Sequence, residues 1–171
     1  MPKIIENLPE KLLAETRRQV SESGYGAVTV RGVAAACGVG VGTVYNYFPS
    51  KDVLIASFML EDWNDALDAM RVAFSDADAR AVLSAEYDGL TAFLRRHERL
   101  FSDPEAIRTF SQMSHKRHDQ LRAQLAEPLR KTLAGRAEAD FLADFLTEAL
   151  LAWTMAGTDK TTLFSVLDRL L

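Results

Sequence analysis

The sequence predicts an all-α protein with a small N-terminal head and a larger helical body. Apolar residues recur at the spacing of a helix from residue 8 to the end of the chain, without the alternation typical of strands. Glycine and proline interrupt these periodic segments, which places breaks between successive helices. The pattern therefore predicts a three-helix head over residues 1–54 and a helical body over residues 55–171.

Length and composition are those of a globular protein. The chain has 171 residues, of which 48% are hydrophobic and 26% are charged, and it can bury one or two small cores. No apolar run reaches the ~18 residues of a membrane span, and charges stand where a signal peptide would be apolar. We therefore expect a cytoplasmic protein. The single Cys37 excludes a disulfide within the chain and is interpreted as a small core residue.

The head begins with a helix from about Leu8 to Ser23, whose apolar stripe repeats every four residues. Gly24 is expected to end this helix, and Tyr25 follows as an expected core aromatic.

The next stretch predicts two short helices joined by a tight turn. Thr29 is a suitable N-cap for the first, and Gly38 can adopt the positive φ that ends it. The second begins at about Gly40 and ends before Pro49, after which Ser50 can cap a third helix. The positions expected to face inward are Val30, Val33, Ala34, Cys37, Val44 and Phe48. Two such helices form a helix-turn-helix, whose second helix enters the major groove of DNA.

This stretch resembles the DNA-binding signature of TetR-type (TetR/AcrR) bacterial transcriptional regulators. The positions that match the pattern without a gap are Thr29, Arg31, Val33, Ala34, Gly38, Val39, Gly42, Thr43, Val44, Tyr45, Tyr47, Phe48, Lys51 and Leu54. With the preceding helix, the resemblance covers about the first third of the chain. It implies a repressor that binds a palindromic operator in double-stranded DNA as a homodimer and is released by a small hydrophobic ligand.

Several side chains in the matching stretch are candidate DNA contacts. Arg31 could reach a guanine edge or a phosphate, although a surface salt bridge is the alternative. Asn46 could form two hydrogen bonds to adenine. The hydroxyl and ammonium groups that could bind phosphates belong to Thr43, Tyr45, Tyr47 and Lys51. A core role remains open for the two tyrosines.

Two positions depart from the family pattern. Gly40 stands where a capping serine is usual, which costs only a few tenths of a kcal/mol. Val41 stands where a polar residue is common, so it could contact a thymine methyl beside Gly42. Since few polar residues read bases, we expect selectivity to depend on two heads bound together and on DNA shape.

Charge is distributed unevenly along the chain. The net charge is −4, but residues 1–54 contain six Lys and Arg against five Asp and Glu. A near-neutral head predicts modest and salt-sensitive DNA affinity.

The body is predicted to consist of six helices, the first shared with the head. They cover about residues 50–74, 81–97, 104–113, 114–133, 137–157 and 158–171. An Asp-capped break is expected at residues 75–80, and Pro128 predicts a kink or break near Glu127.

Large side chains of the body could line a small-molecule pocket, although each could instead be a core or surface residue. The candidates are Phe58, Trp63, Met70, Tyr87, Phe93, Phe110, Met113 and Trp153, with His97 or His115 as polar contacts. The effector itself is not identified by the sequence.

The last two helices are apolar over much of their circumference, which favours a partner surface over a core hairpin in a monomer. The expected interface residues are Phe145, Leu146, Leu150, Trp153, Leu163, Phe164 and Leu167.

Two alternatives remain. One is a constitutive dimeric DNA-binding protein without ligand control, whose body is a scaffold. The other is a metal-dependent enzyme using His97, His115 and His118, but no known metal or nucleophile motif accompanies these residues. We expect no enzyme, no catalytic residue and no cofactor.

Overall fold

The computed structural model describes residues 6–74, 78–111 and 114–171, without the side chains of residues 111 and 114–117. These parts of the chain contain ten α-helices and no strand, which confirms the predicted fold class. The helices are α1 (Leu8–Ser23), α2 (Val30–Ala36), α3 (Val41–Tyr47), α4 (Lys51–Val72), α5 (Ala79–Arg96), α6 (Glu98–Phe101), α7 (Pro104–Ser111), α8 (Ser114–Thr132), α9 (Ala139–Met155) and α10 (Lys160–Leu167). Within the described residues, no helix has both the length and the apolar character needed to cross a bilayer.

Side-chain caps open three helices where the sequence predicts them. Thr29 Oγ1, Ser50 Oγ and Asp78 Oδ1 each accept a hydrogen bond from the backbone N–H three residues later, at 3.0, 3.1 and 2.8 Å. Each bond satisfies an amide that the first turn of a helix leaves unpaired. The short helix α6 is not predicted by the sequence, which places a break there instead.

The chain forms two compact units. The first comprises Met1–Trp63 and Arg96–Ser111, and the second comprises Asn64–Arg95 and Gln112–Leu171. The first unit is therefore larger than the predicted head, because it includes the first turns of α4 together with α6 and α7. Its buried core contains residues from all of these helices: Leu12, Val33, Val44, Leu54, Ile55, Phe58, Leu100 and Ala106.

Asp62 on α4 is the centre of a buried polar cluster in the first unit. Its carboxylate lies 2.8 Å from Arg17 Nη2 on α1 and 3.1 Å from His97 Nε2. Arg96 Nη1 lies farther away, at 3.9 Å. Burial lowers the pKa of His97, and the nearby Asp62 carboxylate opposes part of that decrease. The cluster joins α1 to α4 and to the segment before α6.

In the second unit, α8 packs along α9, and α9 contacts α10. The sequence predicts a kink or a break near Glu127, and no break occurs, because helix α8 continues through Pro128. Proline removes one backbone donor, but Leu125 and Leu129 on either side of it are buried. Packing of these leucines holds the helical turns on both sides of the proline.

Helix α5 is bound to the segment around α10 within the same unit. Tyr87 Oη donates a hydrogen bond to the Thr158 carbonyl at 2.9 Å. Arg80 Nε donates to Asp168 Oδ1 at 2.8 Å.

Burial on α9 and α10 corrects the predicted dimer interface. Five of its residues are buried inside the second unit: Leu146, Leu150, Leu163, Phe164 and Leu167. The sequence shows that these helices are apolar, but it does not show which face packs within the chain. In the structure, the leucine-rich face does so. Phe145 and Trp153 are exposed as expected, and the exposed apolar residues that the prediction missed are Phe141, Met155, Val166 and Leu170.

His97 is expected to make the protein less stable in mild acid. The unfolded imidazole takes up a proton near pH 6.5, whereas the buried imidazole does so at lower pH. With respect to this residue the unfolded state then binds more protons, so the contribution of His97 to the free energy of unfolding decreases as the pH falls below about 6.5. Urea titrations at about pH 7 and about pH 5 should therefore show that acidification is less unfavourable to the stability of His97→Gln than to that of the parent.

The matched control is His118→Gln, which changes an exposed histidine that lies 3.2 Å from Glu148. Equal decreases for the parent and His97→Gln would contradict the assignment of this pH dependence to His97.

Candidate DNA-binding site

The turn between α2 and α3 has the geometry of a helix-turn-helix. Gly38 follows α2 with φ +68°, and the Val39 N–H donates to the Ala34 carbonyl at 2.9 Å. A residue with a side chain would be strained at this φ, which explains the glycine. The chain reverses within a few residues, and α3 begins after Gly40, as predicted.

One side of α3 is buried in the core of the first unit. Val44 is fully buried, and Phe48, which follows the helix, is nearly so. Val41 is half-buried against the same core, which leaves less of its surface for a thymine methyl than the sequence suggests. Cys37 is also half-buried, with Sγ 3.7 Å from the Lys11 carbonyl oxygen, and so is less enclosed than expected.

The other side of α3 presents polar groups to solvent. Tyr45 and Tyr47 are each 50% exposed, so neither is a core residue. Asn46 between them is exposed, and Thr43 is half-buried. Gly42 is exposed, and no atom lies within 4 Å of the position that a Cβ would occupy. The predicted DNA-contact residues on this side of α3 are therefore accessible to solvent.

Tyr25 joins three segments of the first unit. Its hydroxyl donates to Asp52 Oδ1 at 2.5 Å and lies 3.5 Å from Thr109 Oγ1. Its ring packs edge-on against Phe110, with centroids 6.0 Å apart. Burial raises the pKa of the Tyr25 hydroxyl, and the bond to Asp52 raises it further. The sequence predicts a buried Tyr25 but gives no signal that its hydroxyl reaches the start of α4 and α7.

Lys51 belongs to the same cluster. Its ammonium lies 3.8 Å from the centroid of the Tyr25 ring and donates a hydrogen bond to the Tyr25 carbonyl at 3.2 Å. The side chain is half-buried. A cation held on an aromatic face and a carbonyl stabilises the local fold, so phosphate binding would be an additional role. That role remains a prediction.

Arg31 is the most available cation of the helix-turn-helix. It lies in the first turn of α2, is exposed, and forms no recorded ion pair with any residue that the structure describes. On α1, by contrast, Arg18 pairs with Glu15 at 2.7 Å and with Glu22. The hydrogen bond from Arg18 is the main cause that lowers the pKa of Glu15 to about 2. The proposed salt-bridge alternative for Arg31 has no support from these contacts.

Known proteins share both the sequence and the geometry of this motif. The profile described as bacterial regulatory proteins, tetR family, matches residues 12–58, which contain α2, the turn and α3. The chain is 30% identical to the HTH-type transcriptional repressor Rv1474c of Mycobacterium tuberculosis, over 98% of this chain and 95% of that protein. The chain belongs to the TetR family.

Other comparisons agree with this TetR-family assignment. The HTH-type transcriptional repressor KstR of Rhodococcus jostii is 28% identical, over 89% of this chain and 75% of that repressor. Among solved structures, a transcriptional regulator from Cytophaga hutchinsonii has a TM-score of 0.61 at 21% identity, over 86% of this chain and 80% of that chain. PfmR from Thermus thermophilus has a TM-score of 0.56 at 19% identity, over 85% of each chain. The structural likenesses show a shared fold. As a TetR-family member, the protein is a DNA-binding transcriptional regulator.

The residues predicted to line an effector pocket are divided between the two units. The first unit contains Phe58, Trp63, His97 and Phe110, and the second contains Met70, Tyr87, Phe93 and Trp153. Phe58 is fully buried in the core beneath the helix-turn-helix, whereas Trp153 is 55% exposed. Met113 and the side chain of His115 lie outside the described residues. The set is therefore divided between two units, because helical periodicity identifies buried faces but not the unit to which each belongs. A pocket lined by these residues stays a prediction.

The histidines considered as metal ligands are also separated. His97 is buried beside Asp62 in the first unit, and His118 is exposed beside Glu148 in the second. Among the residues that the structure describes, no group of three or more His, Cys, Asp or Glu side chains is arranged to hold a metal ion.

Tyr25→Phe should destabilise the protein without changing its fold. The substitution removes the hydroxyl that donates a hydrogen bond to Asp52, and it leaves the aromatic ring in place. We therefore expect the free energy of unfolding to decrease by about 1–3 kcal/mol. Urea unfolding measures this loss. Tyr47→Phe, which changes a half-exposed ring, is the matched control and should be nearly neutral. Equal stabilities for the two variants would show that the Tyr25 hydroxyl contributes little.

Proposed function

We propose that this TetR-family regulator is a repressor that binds a palindromic operator as a homodimer and is released by a small molecule. The observation that carries the proposal is the exposed side of α3, which presents Tyr45, Asn46 and Tyr47 to solvent, together with the exposed Arg31 in the first turn of α2. A short helix of these dimensions fits the major groove of B-DNA.

The roles proposed for the exposed groups follow from their chemistry. The Asn46 amide can pair with an adenine edge, which reads sequence. Hydroxyls of Thr43, Tyr45 and Tyr47 can bind phosphates, which fixes the position of the helix without reading sequence. The Arg31 guanidinium can do either. Each head offers one amide and few cations that are free of ion pairs within the described residues, so a single head has limited selectivity between DNA sequences. Two heads bound to a symmetric site would have a higher selectivity.

Exposed aromatics on α9 support a homodimer. Phe141, Phe145 and Trp153 follow a spacing of four and eight residues, so they lie along one side of the helix. The first two rings stack with centroids 6.2 Å apart. Their exposures are 68%, 49% and 55%, and such large apolar side chains in a row favour burial against a second copy. The proposed interface therefore uses this stripe, with Val166 and Leu170 on or beside α10, in place of the buried leucines.

Ligand control is the second part of the proposal. It depends on the second unit, which contains buried polar groups without partners among the described residues. A constitutive DNA-binding dimer would lack this control. A solved structure with a TM-score of 0.51, from Bacillus halodurans, is named as the fatty acid degradation regulator FadR, and that name describes FadR only.

Selection of bound fragments from genomic DNA tests the proposal directly. The purified protein is mixed with sheared genomic DNA of the source bacterium, and retained fragments are sequenced. We expect one or a few enriched sites with an inverted repeat. Enrichment without a shared motif would contradict a sequence-specific repressor, and a motif without symmetry would contradict the palindromic operator.

Substitutions at Arg31 and Asn46 should have different effects on the selected site. Asn46→Ala should relax base preference at one position of each half-site and cost about 1–3 kcal/mol on the preferred base. If Arg31 binds a phosphate, Arg31→Ala should weaken binding to all sequences and reduce the slope of log K against log salt by about one. Fluorescence anisotropy at several salt concentrations measures both effects.

Lys131→Ala is the control, since Lys131 is an exposed cation of the second unit paired with Glu127. Its affinity and salt dependence should match the parent. If Asn46→Ala keeps the base preference of the parent at every position, Asn46 does not read a base.

A charge within the aromatic stripe should separate the dimer. Phe145→Glu places a carboxylate in the proposed interface and should give the monomer mass in light scattering, because an unpaired charge is costly to bury. Val72→Glu introduces the same charge at an apolar position that is 80% exposed on α4, and this variant should remain a dimer. A Phe145→Glu protein with the mass of the parent would exclude the stripe as the interface.

A further inference from the structure

The second unit contains a buried acid without a partner. Glu86 on α5 is fully buried, and neither of its carboxyl oxygens has a hydrogen-bond partner among the described residues. The other buried residues of that helix are Ala79, Val82, Leu83 and Leu90. Glu86 thus interrupts an apolar stripe. A leucine at this position could be buried without an electrostatic cost, whereas a carboxylate cannot. Burial raises the pKa of Glu86 well above its usual range.

Hydroxyl groups in the same unit are also buried without partners. Thr91 Oγ1 on α5 and the Oγ1 atoms of Thr147 and Thr154 on α9 form no hydrogen bond with described residues. Thr147 and Thr154 are seven residues apart and therefore lie on the same side of α9. Buried polar atoms in folded proteins are nearly always paired with protein, water or a ligand. Such a concentration in one unit indicates that a polar partner enters it.

The charge of Glu86 selects the kind of partner. No Lys or Arg side chain in the described chain pairs with it, and the second unit carries eleven Lys and Arg against fourteen Asp and Glu. A cationic N–H donor would both satisfy the carboxylate oxygens and compensate the charge. An anionic ligand would be repelled, and a neutral ligand would leave the acid protonated.

Met70 is the side chain best able to make room near Glu86. It is buried on α4, and its terminal atoms lie against α5 at Gly89, where even a Cβ would overlap them. Gly89 follows Glu86 by three residues and therefore lies on an adjacent turn of the same side. Methionine is unbranched and flexible, and it repacks more readily than leucine or isoleucine.

We propose that Glu86 anchors the effector and that the effector is an apolar molecule bearing a protonated amine. This inference rests on the ligand control proposed above and specifies the ligand class. The ammonium donates hydrogen bonds to the Glu86 carboxylate, and the proton that the buried acid carried is released to solvent. Met70 moves from Gly89, and the apolar part of the ligand occupies the space.

A matched set of eight-carbon probes tests the anchor: n-octylamine, octan-1-ol and octanoate. We expect n-octylamine to raise the unfolding temperature of the protein in a concentration-dependent way, octanol to do so less, and octanoate not to do so. In Glu86→Gln the affinity for the amine should fall at least about tenfold, since a hydrogen bond to a charged group is lost, while that for octanol stays the same. Isothermal titration in two buffers of different ionisation enthalpy should show that the parent releases more protons on binding the amine than Glu86→Gln does.

Two variants keep the test interpretable. Glu86→Gln has nearly the same shape and no charge, so it should fold and be more stable than the parent at neutral pH, where the unfolded Glu86 is ionised. Glu127→Gln removes an exposed carboxylate of the same unit and should bind the amine like the parent. If n-octylamine fails to bind the parent, or binds Glu86→Gln equally well, the anchor is excluded.

Addition of the amine to the complex with the selected DNA fragment separates this inference from the proposed function. Release of DNA from the parent but not from Glu86→Gln supports both. Binding through Glu86 without release of DNA leaves the site intact but removes ligand control. Release by octanol alone, equal in both proteins, keeps ligand control and overturns the Glu86 anchor.

Discussion

The contact between Tyr25 and the start of α4 holds the helix-turn-helix in place. The Tyr25 hydroxyl binds Asp52, its ring and carbonyl bind the Lys51 ammonium, and its other edge packs on Phe110. Helix α3 ends just before Phe48, only a few residues ahead of α4, so whatever fixes the first turn of α4 also fixes the end of α3. The accessible side of α3 is thus set by a residue that lies outside the motif itself.

Buried charge is handled differently in the two units. In the first unit Asp62 is nearly inaccessible, but Arg17 lies 2.8 Å away and compensates its charge, and His97 lies 3.1 Å away. In the second unit Glu86 is equally buried and has no such partner. An uncompensated buried acid reduces stability at neutral pH. This energetic cost is consistent with the proposal that the second unit binds a ligand.

Local chemistry explains how much of the fold the sequence predicts. The ends of α1 and the caps at Thr29 and Ser50 depend on neighbours within a few residues, and the structure confirms all of them. The exposed side of α3 follows from the same periodicity. No break occurs at Pro128, because packing against α9, which lies farther along the chain, outweighs the lost hydrogen bond.

Local sequence patterns do not predict contacts between residues that are far apart in the chain. Helical spacing identified Leu146 and Leu150 as apolar, but which apolar face packs within the chain depends on the partner helices. The same limit applies to the pocket candidates, which are divided between two units, and to the link between Tyr25 and Asp52. Glu86 had no signal of its own, since one acidic residue in an amphipathic pattern is usually on the surface.

The central claim is that α3 reads the major groove of a symmetric operator, and methylation interference on the selected DNA fragment tests it most directly. Dimethyl sulfate modifies guanine N7 in the major groove and adenine N3 in the minor groove, so the pattern of inhibition identifies the groove that is contacted. We expect two symmetric groups of guanines whose methylation prevents binding of the protein. Their centres should lie about 10 base pairs apart, or a multiple of that spacing, because two heads bind one face of the duplex. Inhibition confined to adenines, or a single group of guanines, would contradict it.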